Sequence, residues 1–382
     1  MKTIPFSSKI CHHIARFCIC LIIVASIAGM CSCNNPSPTI QIWDWDDLYA
    51  IKNNLDGNHF LMRNLDSTVA GYKELASATA NGGEGWQPIG TINAPFTGTF
   101  DGQGFEIRDL FINRPNESFV GLFSAVGESG VVQNVGVVNA DVIGSDDAGS
   151  LVGVNRGTVR NSYSSGSVTG NDLVGSLVGG STNSLSNSHS TGSVSGQSRV
   201  GGLVGGINGI VSESYSSASV SGDNQIGGLI GYANGNVRNC QSTGSVTGDS
   251  YVGGLVGWNR DIVMNCYSLS RVTGGWLVGG LVGNNRGALS NSYSTGNVSG
   301  NEDVGGLVGW NYQGTVSNSF WDIQTSGQTT SAGGIGKTTA EIKSITTFTT
   351  WDIVAVTPGQ TNPSYIWNIV NDQTYPFLSW QS

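Results

Sequence analysis

VGGLVG at residues 200–205 and again at 252–257 is one six-residue block repeated two periods apart. Copies or near copies begin at Ala148, Val174, Val200, Ile226, Val252, Val278 and Val304, always 26 residues apart. A second signature runs between the blocks: NSYSSGSVTG (161–170), NSHSTGSVSG (187–196), NCQSTGSVTG (239–248), NCYSLSRVTG (265–274) and NSYSTGNVSG (291–300). A degenerate forerunner, VGLFSAVG from Val120 and QNVGVVNADVIG from Gln133, precedes the regular copies. Fixed self-similarity at this length is the mark of a repeat architecture.

Each period holds three short β-favouring pieces. From Val200 they are VGGLVG, IVSESYS and ASVSG, separated by glycine or asparagine. None has helical spacing, and each reads as a strand bounded by turn residues. A strand that recurs every 26 residues pairs with its own copy one turn away, which predicts an all-β parallel β-helix with 26 residues per turn. The general crossover preference favours right-handed coiling. Leu203, Leu229, Leu255, Leu281 and Leu307 align as an apolar column. Asn161, Asn187, Asn239, Asn265 and Asn291 align as another, interrupted by Glu213, where stacked amides can bond from turn to turn. Cys240 and Cys266 share a column with Ser162, Ser188, Ser214 and Ser292. Neighbouring turns sit about 4.8 Å apart, within disulfide reach, so the pair is either bridged or two small residues in a small-residue column.

Composition agrees with this architecture. Glycine supplies 57 of 382 residues and charged residues 11%, against roughly 7% and 25% in ordinary proteins. Lys and Arg number 17 against 26 Asp and Glu, for a net charge of −9. No basic surface dense enough for a nucleic acid is available.

The first 33 residues read as an address. Lys2, Lys9 and Arg16 precede an apolar run from Phe17 to Ala28. As a helix that run spans about 18 Å, too short for a bilayer core. The leader has the form of a secretory signal and resembles a bacterial lipoprotein signal. That resemblance implies lipidation at Cys33, after Ser32, or alternatively at Cys31, and hence a membrane anchor. The expected organisation is a signal peptide over 1–33, a tether over 34–39, an N-terminal cap and irregular turns over 40–147, regular repeats over 148–320, and a C-terminal cap over 321–382. Within the N-terminal cap, Asp44 reads as a helix N-cap, with Leu48, Ile51 and Leu55 at helical spacing and Gly57 as a stop.

FTGTFDGQGFEIRDLFI from Phe96, then VGLF, the GGLVG and NSYSTGSVSG repeats, and finally FWD, GKTTAEIK, WDI and YPFLSW together resemble the GLUG-repeat family of bacterial surface proteins. Such repeats also occur beside the catalytic domain of immunoglobulin-A-cleaving metallopeptidases. The resemblance implies a surface-displayed β-helix and no catalytic residues.

Few residues combine into a recognisable chemical motif. A zinc peptidase needs H-E-x-x-H, and the four histidines are His12, His13, His59 and His189. GGIGKTT (333–339) is similar to a phosphate loop, but Ser331 stands where its first glycine belongs, so no nucleotide is expected. Asp172, Asp223, Asp249 and Asp303 lack a calcium-repeat spacing, so no metal or other cofactor is expected. Arg260 and Arg286 lie one period apart, able to receive an anionic sugar or a phosphate. Tyr232, Trp258 and Trp310 share the position after the GGLVG block, where other turns carry Val154, Gly180, Gly206 and Asn284. If that position faces outward it forms a stripe for stacking on sugar rings, with a protein as the other ligand class. The reading is a non-catalytic cell-surface lipoprotein in an adhesive or ligand-presenting role. The alternatives are a β-helix enzyme acting on acidic polysaccharide and an accessory domain of a separate surface enzyme.

Overall fold

The computed structural model describes residues 39–381. The leader, most of the tether, and both lipidation candidates, Cys31 and Cys33, lie outside the described residues. Each period forms one turn of a parallel β-solenoid. Val204 pairs with Ile230, Ile230 with Val256, Val256 with Val282 and Val282 with Val308. Stacked turns build three parallel sheets. The first runs over eleven strands, from Thr39–Ile42 to Thr315–Ser317. The second contains the Tyr-Ser and Ser-Val-Thr strands, such as Tyr267–Ser268 and Ser245–Gly253. The third has eight, from Phe123–Val126 to Val308–Asn311.

Strand boundaries differ from the three pieces read in the sequence. VGGLVG is not one strand: it bends at Gly202–Leu203, closing Ser198–Gly201 of the second sheet and opening Val204–Ile207 of the third. IVSESYS breaks into Ile210–Ser212 and Tyr215–Ser216. The cause is a left-handed backbone at Glu213, φ 49°. The same corner holds Asn161, Asn187, Asn239, Asn265, Asn291 and Asn318, all with φ between 45° and 54°. Asparagine is among the few residues that tolerate this region, which explains the column more directly than stacking does. Amide bonds between turns also form, from Asn161 Nδ2 to Asn134 Oδ1 (3.0 Å) and from Asn265 Nδ2 to Asn239 Oδ1 (3.3 Å).

The interior is a set of apolar columns. Leu203, Leu229, Leu255, Leu281 and Leu307 are fully buried, each worth about 2 kcal/mol relative to exposure. Their backbones bond from turn to turn, Leu229 N to Leu255 O at 2.9 Å for example. Cys240 and Cys266 are buried free thiols. Each sulfur takes the place of a serine hydroxyl. Ser188 donates to Ser186 O and Ser214 to Ser212 O, while Cys240 donates to Arg238 O (3.1 Å) and Cys266 to Met264 O (3.2 Å). The bridge weighed from their spacing is not formed in the structure.

A second left-handed column was not evident from residue type. Asp147, Leu173, Arg199, Gln225, Tyr251, Leu277 and Asp303 all have φ between 50° and 60°. Within it, Arg199 grips Asp172 through Nε (2.7 Å) and Nη2. Burial, with the nearby Asp172 charge, pushes the Asp147 carboxyl up to about 7, against a smaller opposing effect of Arg199. The folded state therefore holds a proton that the unfolded chain releases near pH 4. Stability contributed here is present below that pH and is lost as pH rises toward 7. Asp147→Asn should match the parent near pH 4 and exceed it at pH 8 by about 2 kcal/mol, half of the full conversion because the site is partly accessible. Denaturant melts at the two pH values check this, and a variant less stable than the parent at pH 8 would refute it.

The ends are closed differently from each other. A short helix, Trp45–Tyr49, is capped by Asp44, whose carboxylate accepts from Asp47 N at 2.8 Å. It passes into a 3-10 turn over Ala50–Asn53 rather than running to Gly57. Trp45, Leu48 and Ile51 join the main core, with Trp45 against Trp86. The expected single C-terminal cap divides in two. Trp321 joins the core, and Ser331–Ala332 bonds onto Val308, closing the last turn. Residues from Thr339 on lie instead along the side of the solenoid. Trp351, Trp367, Phe348 and Leu378 pack on Tyr267, Tyr293 and Phe320, an outward aromatic column of the second sheet. Trp380 stacks on Tyr215, and its Nε1 donates to Asn239 O at 3.2 Å. Tyr267 OH donates to Gln381 Oε1 (2.9 Å), and Trp351 Nε1 to Asn318 O (2.9 Å). Bulky rings on successive turns need cover, and the chain's own C-terminal segment supplies it.

Candidate ligand-binding face

The third sheet fixes where the singled-out aromatics go. In register, Val154 meets Gly180, Gly180 meets Gly206, Gly206 meets Tyr232, Tyr232 meets Trp258, Trp258 meets Asn284, and Asn284 meets Trp310. The three aromatics thus share one column, as their spacing requires. Trp310 is 43% exposed and Tyr232 and Trp258 are half-buried, so the column faces outward.

A second column lies two residues further along each turn. It carries Asn208, Asn234, Arg260, Arg286 and Tyr312, each bonding by its backbone N–H to the turn before, as Arg286 N does to Asn259 O at 2.8 Å. Arg260 and Arg286 are exposed. Arg286 lies between two rings, its guanidinium carbon 5.0 Å from the centre of Trp258 and 4.9 Å from that of Tyr312. Arg260 sits 5.8 Å over Trp258, and its Nη1 donates to Tyr232 OH at 3.0 Å. Guanidinium on a ring face gains about 0.5–1 kcal/mol at exposed sites. The described ion pairs join Arg108 to Glu106, Arg114 to Glu84 and Glu117, Arg199 to Asp172 and Lys337 to Glu341. Neither arginine of the face enters one.

Three further aromatics extend the face and were missed in the sequence. Tyr251 stacks on Trp258 (5.6 Å, 13°) and reaches Trp276 (5.0 Å); Trp276 is 43% and Tyr312 46% exposed. Tyr312 carried a usable signal, since it stands one period after Arg286. Tyr251 and Trp276 carried none, each being the lone aromatic of its column, mixed for Tyr251 and polar for Trp276.

Other candidates separate or are consumed. Asp172, Asp223, Asp249 and Asp303 do not line up: Asp172 is held by Arg199, Asp223 and Asp249 are exposed in a neighbouring column, and Asp303 is a left-handed corner. Among the described residues no group of three or more His, Cys, Asp or Glu is placed to hold a metal. At GGIGKTT the strand Ile335–Lys337 leads into a helix over Thr339–Ile342. Glu341 fills the helix start, accepting from Thr338 N at 2.8 Å and pairing with Lys337 at 3.1 Å. His189 is stacked between Tyr163 and Tyr215, and His59 is buried against Asn54 O.

Residues 222–247 and 274–299, two turns in the same phase of the solenoid, match the family model described as the GLUG motif. The solenoid carries GLUG repeats. Both matched segments run through the long strands of the second sheet, Ser219–Gly227, Ser245–Gly253 and Arg271–Gly279. A stretch of 97 residues, 24% of this chain, is 47% identical to Halomucin of Haloquadratum walsbyi, covering 1% of that protein. Another of 111 residues, 28% of the chain, is 35% identical to a Gly-rich membrane protein of Evansella cellulosilytica, covering 12% of it. The matches therefore span a small part of both relatives. Among solved structures, a candidate immunoglobulin A1 protease from Bacteroides ovatus aligns over 90% of this chain and 92% of its own at 19% identity, with a TM-score of 0.47. Among the described residues of the GLUG-repeat chain, no helix is long and apolar enough to cross a membrane.

Proposed function

We propose that this chain is a non-catalytic, cell-surface solenoid that presents the Trp258–Arg286–Trp310 face to an extracellular ligand, anchored through a lipid at Cys33. One contrast carries the reading. The second sheet's aromatic column is covered by the chain's own C-terminal segment, whereas the third sheet's column stays open with two arginines lacking carboxylate partners. Open apolar patches of this kind mark interaction sites. The membrane protein among the relatives and the form of the leader support a place at the cell surface. Stacked turns supply a stiff support for such a face.

The full chain, purified in detergent, is tested on an array of glycans and matrix proteins beside a Trp258→Ala/Trp310→Ala variant. Retained ligands should lose at least tenfold in affinity in the variant, with an unchanged circular dichroism spectrum. An array blank for the parent overturns ligand presentation, and equal binding by the two proteins overturns this face.

A further inference from the structure

Building on that reading, we infer that the face takes a linear acidic polysaccharide with one carboxylate on each repeating sugar. The aromatic column and the arginine column run side by side along the solenoid axis. Turns recur at the strand spacing of about 4.8 Å, close to the length of one sugar ring, and Asn284 leaves a two-turn step between Trp258 and Trp310. Tyr232, Trp258 and Trp310 stand in one line and Arg260, Arg286 and Tyr312 in the next. Rings and two adjacent cations aligned along one axis fit an extended polymer better than the irregular surface of a folded protein.

The chemistry of each column names one part of the ligand. The exposed rings of the face, Trp276, Trp310 and Tyr312, carry negative quadrupole charge on their faces and suit the apolar C–H face of a sugar ring. Arg286, placed between Trp258 and Tyr312, offers its planar N–H edge to an incoming acceptor. That edge matches a carboxylate in the two-bond manner, and the ring contacts restrict its rotamers before binding. Net charge selects further. A chain at −9 repels any polyanion at long range, a densely sulfated polymer more than one with a single carboxylate on each sugar.

The test uses the full chain in detergent with polygalacturonate, the same polymer after carboxyl reduction, and dextran sulfate, followed by calorimetry. Polygalacturonate should bind at least tenfold more tightly than its reduced form. Arg286→Gln should remove that preference, Arg286→Lys should restore only part of it, and Trp310→Ala should weaken both polymers together. Unchanged melting temperatures certify the variants. Equal binding of the reduced polymer, still lost in the Trp258→Ala/Trp310→Ala protein, overturns the acidic ligand and leaves the presentation reading standing. Dextran sulfate binding as tightly as polygalacturonate and insensitive to Trp310→Ala shows plain ion exchange and overturns the inference. So does an array on which proteins alone are retained.

Discussion

Removing residues 188–213, one whole period, leaves a folded solenoid one turn shorter, with a single melting transition lowered by about 5 °C or less. The new junction places Ser214 after Asn187 and restores the NSYS corner found at Asn161. Every downstream strand keeps its sheet, and Tyr215 moves into the place of His189 beside Tyr163. Removing 188–200 instead carries the chain from the Asn187 corner straight into Gly201. Half a turn is then missing, so strands of the second and third sheets can no longer stack on their own copies. The leucine and valine columns are cut, and two bare edges open inside the molecule. That variant should lose its cooperative transition and its soluble yield. Circular dichroism melts of the two deletions decide the matter, and equal tolerance of both would sink the solenoid.

Gly253→Val should destabilise the protein by about 4 kcal/mol or more, the level reached when a backbone contact has no room to relax. A Cβ built at Gly253 falls 1.9 Å from Val256 O and 2.7 Å from Gly283 N. Both are backbone atoms, and the second belongs to the next turn. Gly257 is similar, with Gln225 C and Gly231 O both at 2.6 Å. In all seven copies of the block these two positions are glycine, whereas the middle one is serine at Ser150 and Ser176. In the second case the corner has adjusted, for Ser176 Oγ bonds Ser164 Oγ at 3.0 Å. A Cβ at Gly254 also meets backbone, Gly280 O at 2.1 Å, but because other turns accept serine at this corner, Gly254→Ser should cost about 2–3 kcal/mol, less than Gly253→Val. Urea melts of the two variants beside the parent give the order, and a Gly253→Val protein as stable as Gly254→Ser would refute the steric account.

The architecture was legible because stacking imposes one demand on every turn. An apolar residue is needed at the Leu255 level, a corner former at Asn265 and room for backbone at Gly253, and the demand repeats as letters. Where the fold asks for backbone shape without favouring a residue type, the signal fades. Leu173, Arg199 and Tyr251 adopt the left-handed region although none is a turn former, so that corner was invisible. The C-terminal segment was misplaced for another reason. Tyr215, Tyr267 and Tyr293 sit in the repeated signature and read as ordinary strand residues, so nothing local says that their rings carry a second core. Of the candidate face, the Trp258 and Arg286 columns followed from periodicity. Tyr251 and Trp276 needed the folded chain, because the contact that joins them to Trp258 crosses from one corner to another.

Placement of residues 339–381 also has a mechanical meaning. Turns joined by ladder hydrogen bonds peel one at a time when an end is pulled, each yielding at modest force. This segment runs across the turns like a splint, touching Tyr215, Asn239, Tyr267, Tyr293 and Asn318 in succession. Those turns cover the stretch that bears Tyr232 through Tyr312. A load applied through a ligand on that face is shared by the splinted block, which must shear as a unit before any single turn unwinds.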